Sequence, residues 1–278
     1  MMQSIAEAYD LIKRGLNLGT IEIADIFGKW NQGELNSYLI EITSTVLKKL
    51  DEKTGLPLVD LILDTAGQKG TGKWTSQTAM DLGVPVPTID SAVTMRQISA
   101  RKQERLKAAL IYGGRLSQAS SPSVAAGDTQ MVHDALHLGF VLSYAQGFSM
   151  LAAAAEEFDL ELDLPLIANI WRGGCIIRAA MLEEIRSALL EGAQHESLVY
   201  TPQFRDIIRY KNDHLKVFVQ KAISLNVPCM ATAASLSYLQ ALTSERLPAN
   251  LIQAQRDHFG AHTYQRIDME GTFHTDDW

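Results

Sequence analysis

Cysteine is almost absent from this sequence, with only Cys175 and Cys229 in 278 residues. A disulfide scaffold is thereby excluded, and both thiols sit in apolar segments, as buried cysteines of a reducing compartment do. A basic excess is missing too: 25 Lys and Arg stand against 32 Asp and Glu, a formal net charge of -7. That balance lacks the electrostatic footprint of a nucleic-acid binder. No stretch supplies eighteen uninterrupted apolar residues, and residues 1–10 carry neither a basic nor an apolar leader region. The expectation is a soluble cytoplasmic chain with no membrane partner. Alternating strand patterns are lacking as well, and with them the strand–helix–strand spacing of a nucleotide-binding half.

What is present is enough apolar material for a sizeable core, 46% of residues, patterned almost everywhere with helical period. Ile5, Ala8, Tyr9 and Ile12 share one face of a helix that has no capping residues before it, which leads us to expect a segment upstream of Met1. Thr20 can cap a helix carrying Ile23, Ile26, Phe27 and Trp30. A second run follows through Leu35, Leu39, Ile42, Val46 and Leu50. Pro57 suits the first turn of a short helix through Leu63. The pattern breaks from Gly67 to Gly72, then resumes in one long segment from Thr88, its cap, to Leu110. After an irregular Gly/Ser/Pro stretch from Gly113 to Gly127, further segments cover about 129–158, 164–190 with a break at Gly173-Gly174, 202–224, 231–245 and 249–259. The spacing therefore predicts an all-α fold: a multi-helix body over 1–259 and an extended tail over 260–278.

Gly67-Gln68-Lys69-Gly70-Thr71-Gly72-Lys73-Trp74 is the strongest local signal. Its glycines let backbone amides approach an anion, while two lysines and a hydroxyl add charge and a donor. The stretch nearly fits a Walker A loop, but Trp74 stands where the magnesium-binding hydroxyl belongs and no apolar strand leads in. An ordinary glycine-rich turn is the bland alternative. His133-Asp134-Ala135-Leu136-His137 places two imidazoles on one helical face, yet no third ligand is evident and no metal site is assigned. Arg96, Arg101, Lys102, Arg105 and Lys107 form a charge run that taken alone reads as a solvated face. The glycines of Trp171-Arg172-Gly173-Gly174-Cys175 read as a helix-helix contact. Near the end, Arg256, His258 and His262 crowd around the helix stop at Gly260, as apt for an anion as for satisfying a helix C-terminus.

Residues Ile62 to Trp74 resemble the signature of the 6-phosphogluconate dehydrogenases, and Leu247-Pro248-Ala249-Asn250 through Tyr264 resembles their C-terminal block. Supporting similarity lies in Trp30 to Leu35, Leu82 to Pro87, Ser143 to Phe148, Trp171 to Arg178 and Phe273-His274-Thr275, so the resemblance runs through the whole chain in order. It implies the all-helical C-terminal domain of a homodimeric, decarboxylating pentose phosphate pathway enzyme. That enzyme oxidises the C3 hydroxyl of 6-phosphogluconate with NADP, or NAD in some members, and releases CO2 to give ribulose 5-phosphate. By motif match, Lys69, Thr71 and Arg96 become substrate contacts. Arg256 and His262 match tail contacts that reach into the neighbouring subunit's site. The family's general-base lysine and general-acid glutamate precede the Met-Gln matched by Met2-Gln3, and its nucleotide-binding Rossmann domain precedes those. The resemblance therefore implies no catalytic acid or base within these residues, an N-terminal Rossmann domain as missing partner, and no tight NADP binding or turnover by these 278 residues alone. The competing expectation is a non-catalytic helical binding or oligomerisation module derived from the same family.

Overall fold

The structure is a computed structural model that describes residues 1–114, 128–193 and 197–278. Among the described residues there are thirteen α-helices and no β-strand, so the all-α expectation holds. The stretch expected to be irregular up to Gly127 lies, from residue 115 on, outside the described residues. Two compact units divide the chain, Met1–Tyr238 and Leu239–Trp278.

The first unit is organised around α8 (Asp128–Glu157), whose residues from Met131 to Gln146 are all buried. By length and composition α8 could cross a bilayer, with a mean hydropathy of 1.4 over its most apolar window. Its neighbours explain that apolarity instead: α1 (Met2–Gly15), α6 (Pro87–Ala100), α9 (Leu164–Trp171) and α11 (Pro202–Ser224) pack against it. The stretch from Met131 to Gln146 is buried all round and is correspondingly apolar on most of its faces. The surrounding helices are amphipathic, each burying one stripe. On α11 that stripe is Phe204, Lys211, Leu215, Phe218 and Ala222, at helical spacing. Two packed helix pairs complete the unit, α2 (Thr20–Trp30) with α3 (Tyr38–Lys48) and α9 with α10 (Met181–Ala188).

Buried polar side chains join distant segments. Glu7 on α1 accepts hydrogen bonds from Ala231 N at 3.0 Å and from Thr232 N at 2.9 Å, capping the start of α12 (Met230–Leu242) from another helix. Gln146, fully buried on α8, accepts from Thr88 N and donates to Thr88 Oγ1, which meets Ser235 Oγ.

Four local expectations are corrected. The segment from Thr88 to Leu110 is two helices, α6 and α7 (Lys102–Tyr112), broken at Arg101. Arg101 N–H closes α6 on Ile98 O, its own carbonyl opens α7 by accepting from Arg105 N, and the Arg105 guanidinium donates to the freed Ser99 carbonyl. Residues 99–105 carry no Gly or Pro to mark the break, so sequence alone does not reveal it. Thr88 is not the cap of α6; Val86 holds that place, Pro87 opens the helix, and the Thr88 hydroxyl serves the Gln146 contact. Thr20 likewise lies inside α2 and gives its hydroxyl to Asp60 Oδ2, while Glu22 caps the Gly19 amide. The helix after Pro57, α4, spans only Leu58–Leu61.

Candidate functional site

The glycine-rich segment ends as the N-terminus of α5 (Thr71–Asp81). Gly70 precedes that helix at φ 104, a conformation costly for any residue with a Cβ. The first intrahelical bond runs from Trp74 N to Gly70 O. The amides of Thr71, Gly72 and Lys73 therefore point forward without helical acceptors, and no side chain caps them. Such a helix start attracts anions. The Lys69 and Lys73 side chains are exposed and form no ion pair or hydrogen bond among the described residues.

Gly72 decides what this helix start faces. A Cβ there would stand 3.0 Å from Val93 Cγ2, so a larger residue would have to push Val93 aside by a few tenths of an ångström. Arg96 follows Val93 by one turn on the same face of α6. It is half-buried, and its polar contact among the described residues is a distant one to Met2 Sδ at 4.0 Å. Ser99 ties the segments together, accepting from Ala66 N at 3.0 Å and donating to Arg96 O at 2.7 Å. Upstream, Asp64 is gripped by Lys102 and by Arg105, whose Nη1 lies 2.8 Å from Oδ2. The hydrogen bonds from Arg105 and Lys102 hold the Asp64 carboxyl far below the usual carboxylate range. Lys102 and Arg105 are thus consumed in clamping the loop, and Arg101 faces Glu104 at 3.5 Å. Lys69, Thr71 and Arg96 stand outside that clamp, Lys69 and Thr71 at the start of α5 and Arg96 on α6, one turn beyond the Gly72–Val93 contact.

Arg256 and His262 belong to the second unit, at the end of α13 (Ala249–Gly260). Arg256 is exposed and donates to Gln253 Oε1 at 3.1 Å, while the same amide donates to the Thr263 carbonyl beside His262. His262 folds back over the helix end, where a Cβ on Gly260 would stand 2.8 Å from its Nε2. Between them, Asp257 is completely buried and accepts from Thr263 N, Thr275 N, His274 Nδ1 and Trp278 Nε1. Burial works to raise its pKa, but hydrogen bonds from His274, Thr275, Thr263 and Trp278 prevail and bring it to about 2.

A third cluster lies inside the first unit. Lys211 donates to Glu34 Oε2 at 2.6 Å and to His137 Nδ1 at 3.0 Å, and lies 3.2 Å from Asp134 Oδ1. Asp134 also accepts from His133, His214 and Gln130. Burial, seconded by the Lys211 charge, pushes His137 down to about 4. For Asp134 burial is opposed by its partners, chiefly His133 and then Lys211, leaving it at about 2. Glu34, His133 and Asp134 bring one ligand atom each to within 4.8 Å of one another. The Lys211 ammonium already stands between the two carboxylates, so a protein cation does there what a metal would do. The two imidazoles flagged by the sequence stack at 6.4 Å and are core hydrogen-bonding groups.

Sequence reasoning missed Asp64, Lys211 and Asp257. Lys211 carried a signal, because a charge in phase with Phe204, Leu215 and Phe218 must be buried and therefore paired. The other two carried none, since their partners lie dozens of residues away or in an irregular tail.

Comparison with known proteins covers the whole chain. The family described as "6-phosphogluconate dehydrogenase, C-terminal domain" matches residues 1–278. The NADP(+)-dependent, decarboxylating 6-phosphogluconate dehydrogenase of Bacillus subtilis (strain 168) is 47% identical over 278 residues, covering 99% of this chain and 58% of the relative. The decarboxylating 6-phosphogluconate dehydrogenase of Shigella flexneri is 49% identical over 275 residues, with the same coverage of 99% and 58%. Among solved structures, 6-phosphogluconate dehydrogenase of Plasmodium falciparum, described in apo form and in complexes with NADP+ and with 6-phosphogluconate, superposes with a TM-score of 0.93 at 42% identity. That match covers 99% of this chain and 59% of the other. The chain thus spans less than two thirds of the relatives it matches.

Proposed function

This chain belongs to the 6-phosphogluconate dehydrogenase family, as its C-terminal domain, and on that premise we propose that it holds the sugar-phosphate side of an enzyme that oxidises 6-phosphogluconate and releases CO2 to form ribulose 5-phosphate. The observation that carries the reading is the uncapped start of α5, with Lys69 and Lys73 unpaired among the described residues and Arg96 one turn beyond the Gly72–Val93 contact. A phosphate dianion needs several donors and cations, and these residues offer backbone amides, the Thr71 hydroxyl, an ammonium and a guanidinium. NADP would supply the hydride acceptor. The described residues include no strand, hence no βαβ unit to cradle its pyrophosphate, and the part assigned to this chain is substrate binding and orientation.

We further propose a homodimer in which Arg256 and His262 of the partner subunit complete the phosphate site. Support comes from the second unit itself. Leu251, Ile252, Phe259, Ile267, Met269 and Trp278 are exposed there, while the completely buried side chain is an aspartate. Apolar surface of that kind calls for a cover. Cys175 and Cys229 are free thiols, which suits the cytoplasm.

Titration calorimetry with 6-phosphogluconate tests the site. Replacing Arg256 with Ala removes a charge-assisted contact worth about 1.5–3 kcal/mol, a loss of roughly 10- to 150-fold in affinity. Equal affinity in wild type and Arg256→Ala would sink the tail's role, and equal affinity in Lys69→Ala would sink the site. Light scattering that shows a monomer at micromolar concentration would remove the dimer.

A further inference from the structure

The second unit places two residues with non-glycine backbone in the left-handed region on either side of His262. Ala261 sits at φ 49 and Thr263 at φ 59. Each such residue costs about 1–2 kcal/mol relative to ordinary backbone, so a hook of this shape persists only where something over-determines it. One carboxylate does so here. Asp257 Oδ1 accepts from Thr263 N at 2.8 Å and from His274 Nδ1 at 2.9 Å, while Oδ2 accepts from Thr275 N at 3.0 Å and from Trp278 Nε1 at 3.2 Å. Its main-chain carbonyl accepts from Ala261 N at 2.8 Å. A single residue therefore pins the amides on both sides of His262 and the returning segment at 274–278, which pairs back through the Tyr264–Phe273 bridge. His262 itself is exposed and is positioned by the chain on either side of it and by the edge of Phe259, 5.9 Å away.

We propose that Asp257 is the positioning residue of the tail's phosphate-binding end, setting His262 in place by holding the left-handed hook at Ala261 and Thr263. This rests on the reading of His262 as a substrate contact and adds to it the group that orients it. Asparagine cannot replace the carboxylate. Four donors converge on it, and an amide would present two of them with a donor of its own, so about half of the bonds are lost. The hook then relaxes, His262 leaves its place, and substrate is held less tightly while the chemistry of bound substrate is left alone.

The test is a double-mutant cycle on the complete gene product, with Asp257→Asn, His262→Asn and the pair, reading KM for 6-phosphogluconate, KM for NADP and kcat. The expected result is that Asp257→Asn raises KM for 6-phosphogluconate at least fivefold, with kcat and the NADP KM within about twofold of wild type. In the His262→Asn background the same change should then add less than twofold. Trp278→Phe, which deletes one of the four bonds and keeps the ring, should raise that KM by a smaller factor with the same pattern, and it carries the test if Asp257→Asn does not fold. Effects of Asp257→Asn and His262→Asn that multiply independently would overturn the proposal, as would a fall in kcat with KM unchanged. If His262→Asn alone leaves KM for 6-phosphogluconate unchanged, the substrate-contact reading fails first. If it raises KM while Asp257→Asn and Trp278→Phe do not, only the positioning role fails.

Discussion

Acidification should weaken this protein through one buried histidine, and the effect can be worked out from the cluster on α8. His137 is buried, accepts from the Lys211 ammonium on Nδ1, and has its pKa lowered from 6.5 to about 4. In the unfolded chain the imidazole takes up a proton near pH 6.5, whereas the folded protein resists doing so. Between those values the unfolded state binds more protons, so stability falls as pH falls, by about 1.4 kcal/mol per pH unit and by about 2 kcal/mol at pH 5. The loss levels off below pH 4. Two raised groups slope the other way. Glu184, raised chiefly by burial, and His274, raised chiefly by its bond to Asp257, each favour the folded state at the low end and lose that contribution as pH rises. The carboxyl of Asp134, depressed to about 2, matters only below its ordinary 3.8, where protonating it removes stability. The quantity to measure is therefore the stability difference between wild type and His137→Gln, whose side chain can still accept from Lys211 but does not titrate. Urea unfolding followed by far-UV circular dichroism at half-unit steps from pH 7 to 4.5 gives it. Wild type should lose about 2 kcal/mol relative to the variant over that range. A difference that stays flat within 0.5 kcal/mol would refute the assignment of His137 as a neutral core acceptor.

Lys211→Met should destabilise the fold at pH 7 by about 2 kcal/mol, below the 3–5 kcal/mol of a stranded buried charge because Asp134 keeps three partners and Glu34 is half in water; a change under 0.5 kcal/mol in urea unfolding would contradict it. Gln146→Leu keeps the volume but leaves the buried Thr88 amide without an acceptor, at about 1–3 kcal/mol by the same assay. Gly260→Ala separates stability from binding. The group in the way of the new Cβ is the swinging ring of His262, so unfolding should change by less than about 1 kcal/mol, while affinity for 6-phosphogluconate should fall several-fold in calorimetry. Unchanged affinity would mean that the seat of His262 over Gly260 does not matter.

The helices were legible because helical period is a local property. An apolar stripe such as Ile5, Ala8, Ile12 on α1 repeats within a few residues and survives any arrangement of the rest. So were the glycines of the Gly67–Gly72 segment, whose meaning lies in backbone freedom at single positions, and Gly70 at φ 104 bears that out. The residues Lys69, Thr71, Arg96, Arg256 and His262 are proposed as site residues by matching whole motifs, and without the resemblance each could equally have been an ordinary surface group. Tertiary structure alone decided which cations are spent and which remain. Asp64 takes Lys102 and Arg105 from across a break at Arg101 that no Gly or Pro marks, and Arg96 is left over. It decided, too, that His137 of α8 faces a lysine 74 residues beyond it, and that Glu7 caps a helix 224 residues away. Hydrogen bonds and ion pairs depend on contacts a few ångströms long. Sequence specifies such contacts only through the packing of every helix between the partners, and no local pattern records that packing.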